Sequence, residues 1–247
     1  MKRRAIVAVL ALMGCGDPVA PFATHSSTPA TAPLNGTVSG TVRLAGKLPP
    51  RGNAHEPLAP DGRPIDNSKA KTFILGEGQT LANVYLAVKA GLGDRKFATP
   101  REPVILDQVG FHYSPRVLGV MTGQTLRVRN RDDHVHNLYI SPRAGPMLNC
   151  GFNRGQEETL EFPKAELAIP IKCDVHPWMN AWLHVSDHPF FAVTGLNGAY
   201  SIPGLPPGEY EILAWHEGFQ KSPLVANVKV ESSKTSTLDF TFELPRK

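Results

Sequence analysis

Phe191-Ala192-Val193-Thr194-Gly195-Leu196-Asn197-Gly198-Ala199-Tyr200-Ser201-Ile202 places two short alternating runs on either side of an Asn-Gly pair. Alternation with a period of two marks a half-buried strand, and a type I′ turn favours Asn-Gly because both central residues need φ > 0. The stretch predicts a β-hairpin. Downstream, Pro206-Pro207-Gly208 leads into a further alternating run, Tyr210, Ile212 and Ala214. Similar runs between Gly, Pro and Asn punctuation cover residues 37–44, 83–88, 124–128, 158–162, 209–215 and 236–242. No segment keeps a helical i, i+3, i+4, i+7 stripe for long. With 23 Pro and 22 Gly in 247 residues, the reading is all-β, of sandwich type.

The N-terminus reads Met1-Lys2-Arg3-Arg4, an apolar run from Ala5 to Gly14, then Cys15. A charged segment followed by a short apolar one is the pattern of an export signal, and this one is too short to span a bilayer. Leu12-Met13-Gly14-Cys15 resembles the bacterial lipoprotein box, which implies cleavage after residue 14 and lipidation of Cys15. An ordinary signal peptide cut further on is the alternative. Either predicts an exported protein; the first anchors it by lipid to a bacterial membrane, on the periplasmic or cell-surface face. Residues 15–35, rich in Pro, Ala, Thr and Ser, read as a disordered tether. Residues 51–70 read as a polar surface excursion. The formal charge of +4 includes three basic residues of the export segment; without them 23 basic residues face 22 acidic ones. Such a balance leaves no electrostatic footprint for nucleic acid.

Ile171-Lys172-Cys173-Asp174-Val175-His176-Pro177-Trp178-Met179 brings a thiolate, an imidazole and a thioether into one short loop. Soft sulfur ligands with imidazole suit copper, and a His2Cys set with a weak axial Met is the blue-copper donor set. The missing histidine lies upstream, at the end of an expected strand, in Asn130-Arg131-Asp132-Asp133-His134-Val135-His136-Asn137. His136 is the expected ligand because Asn137 follows it; His134, on the same strand face, is the alternative. With only three cysteines, Cys15, Cys150 and Cys173, a Cys150–Cys173 disulfide is a second possibility, and it would destroy the site. No nucleophile motif or second metal set suggests catalysis, so no catalytic residues are assigned.

These segments together resemble the cupredoxins, of the amicyanin and plastocyanin-like kind, over about residues 104–185. The resemblance implies one copper, cycling between Cu(I) and Cu(II), held by His136, Cys173, His176 and Met179. It implies supporting or docking roles for Asn130, Asn137, Pro177 and Trp178, and an electron carrier rather than an enzyme. Gln108-Val109-Gly110-Phe111-His112-Tyr113-Ser114-Pro115-Arg116-Val117 also resembles a segment of such proteins, in which a cysteine and a histidine commonly stand at positions 111 and 116; here both are replaced.

Residues 191–210 resemble the carboxypeptidase regulatory-like domain, a small transthyretin-like sandwich. The opening Gly-x-Val-x-Gly-x-Val strand of such modules appears far upstream, at residues 36–42. The expected organisation is thus a signal peptide (1–14), tether (15–35), N-terminal strands of a supporting sandwich with its loop (36–102), a cupredoxin (103–187), and the rest of the supporting sandwich (188–247). The expected function is type 1 copper electron transfer with redox partner proteins of the envelope. Copper delivery, or an interaction module with a vestigial site, are the alternatives.

Overall fold

The computed structural model describes residues 35–48, 62 and 71–244. The export segment, Cys15, the tether before Asn35 and nearly all of the polar excursion lie outside the described residues. The protein is all-β, and the strands among the described residues form four sheets. In the first, β13 (Ala199–Leu205) runs antiparallel to β1 (Gly36–Ala45), while β16 (Thr235–Thr237) and β17 (Phe240–Glu243) pair with β1 in parallel. In the second the order is β12 (Phe191–Val193), β2 (Tyr85–Ala90), β14 (Gly208–Trp215), β15 (Leu224–Val230). The third runs β5 (Val117–Met121), β11 (Asn180–Ser186), β10 (Glu166–Lys172), β7 (His136–Ile140), β8 (Leu148–Phe152). The fourth runs β4 (His112–Ser114), β3 (Val104–Val109), β6 (Leu126–Asn130), β9 (Glu157–Leu160).

The two-residue alternation of strands decides how these sheets share cores. Val38, Val42, Leu86, Val88, Ile202, Ile212 and Ala214 fill one core between the first and second sheets. Leu106, Val128, Leu138, Ile140, Ile171 and Leu183 fill another between the third and fourth. The intervening residues of β2 and β14, Tyr85, Ala87, Leu213 and Trp215, point the other way. They meet Val117 and Trp182 of β5 and β11, so the second and third sheets are covered on both faces.

Asn197-Gly198 makes a tight turn but not a hairpin, because β12 joins β2 whereas β13 joins β1 in a different sheet. Gly198 has φ 64° and Asn197 is not in the left-handed region, so the pair of positive φ angles that defines type I′ is missing. The turn closes by Gly198 N–H donating to Gly195 O (2.9 Å), and Gly198 O accepts from Val42 N (2.8 Å). A Cβ at 198 would stand 2.4 Å from Val42 O. Glycine is needed there for close approach to β1, at a corner where the chain changes sheet.

The run expected as one strand over 236–242 is two strands. Leu238 crosses Gly40 so closely that a Cβ there would lie 1.9 Å from Leu238 O. Leu238 N then donates to Ser39 O (2.8 Å) and Asp239 Oδ1 accepts from Thr41 N (2.7 Å). The break keeps both halves beside β1. No helix of the described residues is long and apolar enough to cross a membrane.

Candidate metal centre

β7 and the loop after β10 bring the candidate ligands together, since β10 lies beside β7 with Lys172 opposite Tyr139. His136 opens β7 and is fully buried; Cys173 follows β10 and is 3% exposed. The loop returns on itself: Met179 N donates to His176 O (2.8 Å) and Cys173 N to Met179 O (3.1 Å). That closure fixes the Cys-x2-His-x2-Met spacing in space. One donor atom each from His136, Cys173 and His176 lies within 4.8 Å of the others. Nδ1 of His136 stands 3.1 Å from Nδ1 of His176, and Cys173 Sγ 3.6 Å from the latter. Met179 is 1% exposed and shares an apolar cluster with Cys173. His134 is not part of this group; its carbonyl accepts from Asn130 Nδ2 (2.8 Å). Cys150 and Cys173 are both free thiols.

The surroundings set the protonation of each donor. Burial raises the Cys173 thiol, but hydrogen bonds from His136 and from the amides of Asn137, Val175 and His176 outweigh it and hold the thiol below its ordinary value. The Asn137 amide lies 3.3 Å from Sγ. Burial, then the charge of His136, lower His176. Burial also works against a charged His136, yet Asp132 and Cys173 prevail and raise it. Asp132 is itself lowered: its desolvation is outweighed by His136 and by the amides of Phe111 and Gly110.

Nε2–H of His136 donates to Asp132 Oδ2 (2.8 Å), so Nδ1 is the nitrogen turned inward. Orientation of a ligating imidazole by a carboxylate is a recurrent device of metal sites. Two imidazole nitrogens and a thiol sulfur that converge at these distances turn their lone pairs on one another unless a cation or proton lies between them. A soft-donor cation fits, and the His2Cys set with a buried thioether nearby fits copper best.

No protein-family model matches the chain, and no curated protein matches it. Among solved structures, a copper-containing nitrite reductase from Thermus scotoductus SA-01 shares 21% identity at a TM-score of 0.33, over 40% of this chain and 26% of that one. Amicyanin, as its Cu(I) M98A mutant, shares 21% at 0.31, over 41% and 98%. A purple cupredoxin from Nitrosopumilus maritimus shares 22% at 0.29, over 34% and 99%. The chain thus spans about a quarter of the nitrite reductase.

Asn130 is fully buried and anchors the turn that carries Asp132, accepting from Asp132 N (2.9 Å) and donating to Phe152 O (2.8 Å). Asn137 Oδ1 accepts from Asp174 N (3.1 Å), which ties β7 to the start of the ligand loop. Pro177 is exposed, and Trp178 is half-buried with its ring 5.3 Å from His176. Its indole N–H has no hydrogen-bond partner among the described residues. Asp133 pairs instead with exposed Arg154.

Three contributors escape sequence reading. The single Tyr113 O–H hydrogen is shared between Asn137 O (2.5 Å) and Lys172 O (3.1 Å), joining the strand that opens on His136 to the one that ends just before Cys173. Asn149 Oδ1 accepts from Asn137 Nδ2 (2.6 Å), and its own amide donates to Asp174 (3.3 Å). Phe111 packs edge-on against His136 and His176. Of the residues around the donors, Asn130 and Asn137 were the ones expected from the cupredoxin resemblance, and these three were not.

Proposed function

We propose that the protein binds one copper ion through His136, Cys173 and His176, with Met179 as a weak fourth ligand, and passes single electrons. The observation that carries this reading is the convergence of two Nδ1 atoms and a lowered thiol within 4.8 Å, all buried. Copper supplies a one-electron couple. The protein's share is to hold the donors in one arrangement in both oxidation states and to keep water out, which burial on β7 and a self-bonded loop support. Burial also favours electron transfer over metal hand-over, because delivery needs a ligand reachable by the acceptor. On this reading the chain is exported, tethered at Cys15, and exchanges electrons with redox partners in the envelope.

Adding Cu(II) to the metal-free protein is expected to produce an intense thiolate-to-copper charge-transfer band, and Cys173→Ser to remove it. A colourless wild-type protein, or a Cys150–Cys173 bridge in the copper-loaded form by mass spectrometry, would overturn the reading.

Pro177 bears on the potential. It has no N–H, so it offers the thiolate nothing, while the neighbouring amides of Val175 and His176 already favour it. Pro177→Ala adds a donor at an exposed position. A better hydrogen-bonded thiolate gives less charge to Cu(II), so the reduction potential is expected to rise. Voltammetry giving an unchanged or lower value would contradict this.

A further inference from the structure

Phe111 occupies a turn that does not suit it. Val109 pairs with His112, leaving Gly110-Phe111 as a two-residue hairpin loop. Both have φ 61°. That is the type I′ pattern, in which the second central position favours glycine, and a bulky side chain there is an outlier. The strained conformation is held by one carboxylate: Gly110 N donates to Asp132 Oδ1 (2.7 Å) and Phe111 N to Oδ2 (2.9 Å). The same Oδ2 accepts from Nε2 of the ligand His136. Asp132 therefore sets the direction of a ligand and of the Phe111 ring together.

The ring does not belong to either main core; its apolar neighbour is Trp178. It stands edge-on to His136 (5.4 Å, 89°) and to His176 (5.1 Å, 86°), and tilted against His134 (5.0 Å). It is 9% exposed, and the two rings it meets edge-on are closed to water as well, His136 at 0% and His176 at 8%. Cys173, whose Sγ lies 3.6 Å from Nδ1 of His176, is 3% exposed. Strain kept at a site where a permitted residue would relieve it marks a function for the side chain.

We propose that Phe111 is a fixed lid over the metal centre, a positioning residue that shuts the histidine edges against small external ligands and against acceptors of the metal. The inference rests on the copper-binding reading and sharpens it: the lid is what makes the centre retain its metal while electrons pass. In Phe111→Gly the turn receives its preferred residue while the site loses its cover, so folding stability and site closure change in opposite senses.

The first measurement uses the metal-free full chain and iodoacetamide, with alkylation followed separately at Cys173 and at half-buried Cys150. Phe111→Gly and Phe111→Ala are expected to speed alkylation of Cys173 by about tenfold or more, on the scale of one local barrier, with Cys150 unchanged. The second uses the copper-loaded chain: removal of Cu(I) by bathocuproine disulfonate is expected to accelerate similarly, and azide to perturb the Cu(II) spectrum of the variants only. Wild-type rates at Cys173 in both variants, or an equal acceleration at Cys150 that signals general loosening, would overturn the lid. Failure of the wild-type protein to take up copper would instead overturn the functional reading, and the alkylation of Cys173 still decides the role of Phe111.

Discussion

Replacing Glu217 by alanine is expected to destabilise the protein by about 3–5 kcal/mol, the range for removing one partner of a buried ion pair. Glu217 sits in a short turn after β14, and Arg116 precedes β5. Arg116 Nε donates to Oε1 at 2.6 Å and an Nη2 hydrogen to Oε2 at 2.8 Å, and Trp182 Nε1 donates to the same carboxylate at 3.2 Å. Both charged side chains are nearly closed to water, at 8% and 6% exposure. Alanine would leave the guanidinium buried with a single long contact, Nη1 to Asn180 O at 3.5 Å. The cost comes from the stranded charge rather than from the worth of the pair, so the double variant Arg116→Met with Glu217→Leu is expected to recover most of the loss. Urea denaturation of the two variants checks this. A loss under about 1 kcal/mol for the single variant, within the range of an exposed pair, would contradict it, as would a double variant no better than the single.

That pair also marks where sequence reading stops. Position 116 was legible only as a departure from the histidine that the cupredoxin resemblance places there. Its partner lies 101 residues away, in a turn with no motif, and nothing local links them. Phe111 is the same case: the resemblance suggested a missing cysteine, whereas the structure puts an aromatic ring edge-on to His136 and His176. The loop that carries Cys173, His176 and Met179 was legible as one unit because the three are close enough in sequence for spacing to constrain geometry. The Asn137 that favoured His136 over His134 in the sequence has its own task in the structure, its amide pointing to Cys173 Sγ and its side chain to Asp174, and it is His136 that groups with Cys173 and His176.

Strand periodicity told which residues face inward but not which sheet a strand enters. Asn197-Gly198 signalled a tight turn correctly, and the missing hairpin reflects the competing pull of β1, reached through Val42. Residues such as Tyr85 and Trp215, which lie on the second face of a covered sheet, look like exposed aromatics in an alternating pattern. They are 2% and 1% exposed. Their burial follows from stacking four sheets in series, a property of the whole chain.

The same stacking makes the protein sensitive to acid. His184 of β11 is wholly buried between Tyr85, stacked at 4.0 Å, and Trp215, edge-on at 4.6 Å. Its Nδ1 accepts from Ala168 N (3.3 Å), and its Nε2 has no partner among the described residues. Burial pushes it down to about 3. His216, packed on Phe73, is pushed down to about 4 by burial and then by the charge of Arg116. In the unfolded chain each titrates near 6.5, so below that pH the unfolded state binds protons that the folded state refuses. Stability from these rings is complete above about pH 6.5 and falls as the pH drops toward about 4 and about 3. At roughly 1.4 kcal/mol for each tenfold suppression, the two rings together amount to several kcal/mol. His188, also lowered by burial, acts in the same sense, and His136, which is raised, opposes it near neutrality. The expected result is a urea midpoint that drops steeply between neutral pH and pH of about 4. His184→Phe should keep the stacking and lose no more than about 1–2 kcal/mol at neutral pH, since it removes only a weak acceptor at a half-buried amide. It should also flatten the acid slope, because a phenyl ring has no proton to gain. An acid slope equal to that of the wild type in this variant would mean that the protons enter elsewhere, and that the interface between the second and third sheets is not where acid opens the protein.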